Sequence, residues 1–221
     1  MGDKSEERVP DVSREPEQRH HSTEFVATIL LAFSSVVTSW SGYQASLWSG
    51  IQATNYNQAN ALRVESARES TQAGQQVGLD IALFMAWVNA KASSNERLSE
   101  FYSQRFRPEF RQFFDAWLGT QPLSNPQAPG TPFDLPGYHT ERGRHAGDLE
   151  SQSKALFEAG HRANHIADTY VLGTVLLATV LFFCGIVQQF RGFRTRVFLL
   201  GLAVLLLVLG LSKILVLPVA T

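Results

Sequence analysis

Three long apolar runs, free of charged residues until Lys213 near the end of the third, constrain this 221-residue chain more than any other feature. The first is Phe25 to Trp40, extending to about Tyr43; the second is Thr169 to Val187; the third is Val197 to Ser212, continuing past Lys213 to Leu217. About twenty helical residues cross a ~30 Å hydrocarbon core. The expected fold class is therefore an all-α membrane protein. Three transmembrane helices occupy 23–43, 169–188 and 197–217, with a long helical extramembrane insertion at 44–168. Ser22 or Thr23 is placed to cap the first helix, with Glu24 in its first turn. The tail before it is mostly acidic, and the apolar run is longer than a ~7–15-residue signal core, so a cleaved signal peptide is not expected.

Orientation follows from charge. The hairpin 189–196 carries Arg191, Arg194 and Arg196, and short basic loops stay cytoplasmic. Chain parity puts the N-terminus on the same side, where Arg14 and Arg19 flank the first span. Residues 44–62 contain no Lys or Arg, and Trp40, Tyr43 and Trp48 suit the outer interface. The expected location is the inner (plasma) membrane, multi-pass, with 44–168 extracytoplasmic. The tail 1–22 is charged and poor in apolar residues, so it is expected to stay unfolded. Basic residues are fifteen Arg against four Lys, a bias of bacterial genomes rich in G and C.

Within the insertion, Ser41, Ala45, Ser49, Ala53, Asn57 and Ala61 recur every fourth position, beginning inside the bilayer at Ser34 and Thr38. That spacing predicts one long helix with a small-residue stripe open to another backbone. A polar stretch, Glu65 to Gly78, follows. Val77, Ile81, Phe84, Met85 and Val88 then predict an amphipathic helix, with Asp80 at its head. Leu98, Phe101, Tyr102, Phe106, Phe110, Phe113, Phe114 and Trp117 form a third helical stretch, where Pro108 can open a new turn. Its Arg105, Arg107 and Arg111 are read as solvated or in contact with lipid headgroups. Prolines 122, 126, 129, 132 and 136 mark 121–138 as a hairpin tip. Leu149, Leu156, Ala163 and Tyr170, seven apart, predict a helix returning into the second span.

Candidate chemistry is thin. Glu158, His161, His165 and Asp168 lie along one helical stripe, and two imidazoles one turn apart can hold a divalent metal. They are weak metal candidates: no Glu directly follows His161, so the zinc-protease pattern is absent. A polar seam against the Asn- and Gln-rich helix is the expected role. Ser151-x-x-Lys154 matches an acylase pattern without its companion motifs. His20 and His21 imply nothing specific. Cys184 lies in an apolar run and reads as a buried thiol. Lys213 sits where its stem can snorkel to the interface. The expectation is no catalytic residue, no cofactor and no metal. With a net charge of −1 and no basic face, nucleic acid is not expected either.

The layout resembles uncharacterised bacterial three-span membrane proteins grouped as a domain of unknown function. Thr38-Ser-Trp-Ser-Gly-Tyr-Gln-Ala45 and Arg105-Phe-Arg-Pro-Glu-Phe110 carry the resemblance, which covers most of residues 24–217. It implies architecture and no activity. The expected function is non-enzymatic: assembly as a homo-oligomer, or a scaffold or accessory subunit in contact with lipid and another membrane protein. One alternative is a channel or transporter component lined by Ser34, Ser35, Thr38 and Ser41. The other is a periplasmic metal-dependent protein.

Overall fold

In the computed structural model the chain is all-helical, with no strand among the described residues, which are 15–190 and 192–221, with side chains from Glu24. The helices are α1 (Glu15–Ala92), α2 (Glu96–Ser103), α3 (Pro108–Gly119), α4 (Glu141–Val187) and α5 (Phe193–Ile214). A single 3-10 turn, Pro132–Asp134, interrupts the proline-rich segment. Three of the helices, α1, α4 and α5, are long and apolar enough to cross a membrane.

The helix starts and stops have local causes. Pro108 takes the first position of α3, where its missing N–H costs nothing. Asn95 caps α2 through its side chain, which accepts from the Leu98 N–H. α1 begins at Glu15, ahead of the expected Ser22–Thr23 cap, so both residues lie inside the helix and not at its start. The tail before Glu15, Arg14 included, and Arg191 lie outside the described residues, as do the side chains of Arg19, His20 and His21. The polar stretch Glu65 to Gly78 does not interrupt α1 either.

The chain divides into two compact units, one of Asn55–Glu158 and the other of Ala159–Thr221 with the residues up to Thr54. The unit that contains Ala159–Thr221, the first unit below, holds the apolar parts of α1 and α4, with α5. On α1 the packed positions are Ala27, Leu30, Ser34, Val37, Ser41, Ala45 and Trp48. On α5 they are Leu200, Ala203, Leu207, Gly210 and Ile214. Both series step by three and four residues, the period of a helix seam packed against a neighbour. α4 supplies Ala163, Ala167, Tyr170, Leu177, Val180, Cys184 and Val187, and Cys184 is fully buried as expected.

Small residues bring these helices close. The Ser41 hydroxyl donates to the Tyr170 carbonyl at 2.9 Å. A Cβ added at Gly173 would lie 2.7 Å from Ile214, so that glycine is required by the approach of α5. At one end of the unit Arg196, 6% exposed, donates to Glu24 at 3.1 Å and to the Phe190 carbonyl. At the other, the Gln44 amide pairs with both backbone groups of Ala220, while Trp48 and Tyr170 donate to the Pro218 carbonyl. Lys213 is exposed.

The second unit has two layers of its own. In one, α1 and α4 run antiparallel. Ser66 donates to the Ala146 carbonyl and Ser153 to the Ala59 carbonyl, each at 2.7 Å. Two serine hydroxyls bonded directly to the facing backbone require close helix axes, as small seam residues permit. Tyr56 stacks on Phe157, and Arg142 pairs with Glu69. The other layer is an aromatic core: Phe84 and Trp87 from α1, Phe106 before α3, and Phe110, Phe114 and Trp117 from α3. Phe133 of the 3-10 turn stacks on Phe110 at 5.0 Å. Fully burying one such ring contributes roughly 1.5–3 kcal/mol, so this cluster is the main stabilising element of the unit.

Candidate functional site

The four residues read as weak metal ligands are placed apart from any packed surface. Glu158, His161, His165 and Asp168 are all exposed on α4. The two imidazoles meet edge to face, 5.0 Å between centroids. Asp168 accepts from Asn164. Among the described residues no three His, Cys, Asp or Glu side chains are grouped to hold a metal ion. The expected polar seam against α1 is corrected: Ala163, Ala167 and Tyr170 take the packed face of α4, and the His stripe turns to the outside. Ser151 bonds its own helix at Gly147, and Lys154 pairs with Glu150 on the surface.

The small-residue stripe of α1 resolves into two faces. Ser34, Ser41 and Ala45 are buried in the first unit, whereas Ser49 and Ala53 are exposed. Each four-residue step overshoots a full turn by about 40°, so a strict every-fourth series leaves the packed face within a few turns. The packed series continues instead through Ala59, Ser66 and Ala73 in the second unit, at seven-residue spacing. The exposed series is longer than expected: Ala32, Ser35, Ser39, Gly42, Ser46, Ser49 and Ala53. These also alternate by three and four. The hydroxyls of three of them are satisfied within α1, Ser35 on Ala32, Ser39 on Ser35 and Ser49 on Ala45. A Cβ at Gly42 would meet nothing within 4 Å. A different exposed strip of α1 carries the large side chains Phe25, Ile29, Val36, Trp40 and Tyr43. The serines considered as a channel lining do not share one face: Ser34 and Ser41 are buried and Ser35 is exposed.

The second unit contains a charged cluster at the edge of its aromatic core. Asp80, 0% exposed, accepts from Arg107 Nε at 3.0 Å and Nη2 at 2.5 Å, and from the Tyr138 hydroxyl at 3.2 Å. Arg107 also pairs with Glu109. The Asp80 hydrogen bond is the main reason the Arg107 guanidinium is held above its ordinary pKa. Burial, reinforced by the Asp80 charge, pushes the Tyr138 phenol up to about 12. Arg107 is thus an internal partner and not the solvated arginine expected. Arg105 lies 3.4 Å over the Phe101 ring, and Arg111 is exposed. Ile81 and Met85 are exposed too, because the packed face of α1 here is Asp80, Phe84 and Trp87. The fixed charge cluster ties α1, the start of α3 and the Tyr138 segment together.

The unit also has openings at its surface. One, of about 610 Å³, is lined by charges of both signs, including Glu109, Glu141, Arg144 and Asp148. Another, of about 750 Å³, is mostly apolar and lies among Phe84, Trp87, Trp117 and the proline-rich segment. In sequence, the missed signal for the packed face was the recurrence of Ala59, Ser66, Ala73, Asp80 and Trp87 every seven positions. Against known proteins, the chain matches no family model, no curated protein and no solved structure.

Proposed function

We propose that this chain is a multi-pass membrane protein that acts by self-assembly, without a catalytic step of its own. The observation that carries this reading is the exposed α1 face Ala32, Ser35, Ser39, Gly42, Ser46, Ser49 and Ala53. A helix surface facing lipid gains by filling space with large side chains, as the Phe25, Ile29, Val36 and Trp40 strip does. A continuous small face leaves a shallow channel that acyl chains fill poorly and another helix fills well, through close packing. Alternation by three and four along the face suits a second copy of α1 crossing at a shallow angle.

The membrane reading places the protein in an inner (plasma) membrane, with the second unit extracytoplasmic. Two observations support one common side for the N-terminus and the 189–196 hairpin. Glu24 and Arg196 pair with each other, and Arg194 is exposed. The pairing also means that Arg196 contributes less free charge to orientation than its position in sequence suggests.

The test is substitution on each face, read in lipid bilayers. Ser39→Leu or Gly42→Leu overfills the small face and should weaken association by ~1–3 kcal/mol, with monomer stability unchanged. Val36→Ala, on the large-residue strip, should leave association intact. Equal association for all three variants would remove the basis for the proposal.

A further inference from the structure

The apolar cavity of the second unit has features that select a ligand, and they are independent of the assembly reading. Its volume of about 750 Å³ falls in the ~300–1,000 Å³ range of small-molecule sites. Its floor is three rings, Phe84, Trp87 and Trp117, each at most 4% exposed. Met85 and Leu123, 50% and 79% exposed, stand at its sides. Trp117 is already used: its indole N–H donates to the Pro129 carbonyl at 2.8 Å. Trp87 is not. Among the described residues, Ser34 Oγ is the enclosed side-chain polar atom that lacks a partner. The Trp87 nitrogen also lacks one, so it is not enclosed, and its ring lines the cavity. At the rim stands Lys91, whose partner is the exposed Glu96 at 2.5 Å.

The cavity thus offers hydrocarbon contact, one indole donor and one ammonium. Its remaining amide, Asn125, is spent on Thr120 and Gln127. A bound peptide would bring a donor and an acceptor with every residue, and both need partners when buried. The side chains here supply donors at one end and no free acceptor along the floor. We propose that the cavity binds an amphiphile with a hydrocarbon chain and a terminal carboxylate, a fatty-acid-type ligand. The chain lies over the Phe84, Trp87 and Trp117 rings. The carboxylate accepts from the Trp87 N–H and displaces the Glu96 carboxylate from Lys91.

The chain contains two methionines, Met1 and Met85, and Met85 lines this cavity. Photo-methionine incorporated throughout therefore places a crosslinker at the site. The full chain in lipid nanodiscs is irradiated with dodecanoate, and the Met85 peptide is weighed. The expected product is a dodecanoate adduct. Lys91→Leu should reduce it and Glu96→Gln, which frees the ammonium, should increase it, each by roughly two- to fivefold. Trp87→Phe, which keeps the ring and removes the N–H, should reduce it as well, while labelling by dodecanol stays the same in all three variants. Equal labelling by dodecanoate and dodecanol, or insensitivity to the rim variants, would reduce the cavity to a greasy surface. No adduct, or a polypeptide crosslinked at Met85, would equally overturn the assignment. Because the second unit carries this site, association through α1 can persist under any of these outcomes.

Discussion

Replacing Asp80 by alanine removes the carboxylate that Arg107 and Tyr138 share. Asp80 is 0% exposed and is held by two hydrogen bonds from the guanidinium and one from the phenol. Breaking a buried pair by deleting one member costs ~3–5 kcal/mol, because the other charge stays behind. Here Arg107 retains Glu109, and its side chain is 23% exposed, so the charge term falls below that range. The lost Tyr138 bond adds ~0.5–1.5 kcal/mol. The net loss is about 2–3 kcal/mol. Hydrogen exchange of the α3 amides reads this directly: they should exchange about thirty- to a hundred-and-sixtyfold faster, since opening of the unit is what exposes them. The double variant Asp80→Leu, Arg107→Met removes both charges and should recover most of the protection. Exchange within about threefold of wild type in Asp80→Ala, or no recovery in the double variant, would refute the structural role of the pair.

Ala45→Leu and Ser49→Leu should part ways. Ala45 is 7% exposed in the first unit, so overfilling it should lower thermal stability of the monomer by ~1–3 kcal/mol; Ser49→Leu should leave that stability unchanged. The phenol of Tyr138 ionises near 10 when unfolded and near 12 when folded. Its contribution is fully present below pH 10 and is lost as pH rises through 12, so urea midpoints should fall over that window and Tyr138→Phe should flatten the fall. A cytoplasm-only reporter should be active when fused after Arg196 and silent when fused at Pro126; the reverse would invert the topology.

How far the sequence carried depends on which forces set each element. Charge-free runs such as Val197 to Ser212 declare an apolar helix by composition alone. Leu149, Leu156, Ala163 and Tyr170 were legible as one face because the seam keeps its seven-residue repeat there. Pro108 was legible as a helix start because its ring permits little else. The face of α1 was harder. Its seam through Ser66, Glu69, Ala73 and Gln76 is nearly as polar as the outside, so hydrophobic periodicity does not announce it. An every-fourth series then joined Ser41 and Ala45, which pack, to Ser49 and Ala53, which do not. The Asp80 cluster was not legible at all. Its members come from α1, the α2–α3 junction and the segment before α4, and nothing local in Asp80 names Arg107 as its partner. The orientation of the His161 and His165 stripe was likewise decided by its neighbours: Ala163 and Ala167 allow closer packing, and the imidazoles are left outside.

Cysteine crosslinking across α1 tests the central claim most directly. Cys184 is the native cysteine and is fully buried, so a Cys184→Ala background leaves single introduced thiols as the reactive groups. Ser39→Cys, Gly42→Cys and Ser46→Cys each place a thiol on the small face, and Val36→Cys and Trp40→Cys place one on the large-residue strip. A disulfide forms between two copies only where Cα atoms approach to roughly 4.4–6.8 Å. Under mild oxidation in membranes, self-assembly predicts covalent dimers from positions 39, 42 and 46 and none from 36 or 40. Dimers from positions 36 and 40 with none from 39, 42 and 46, or no dimers anywhere, would contradict it.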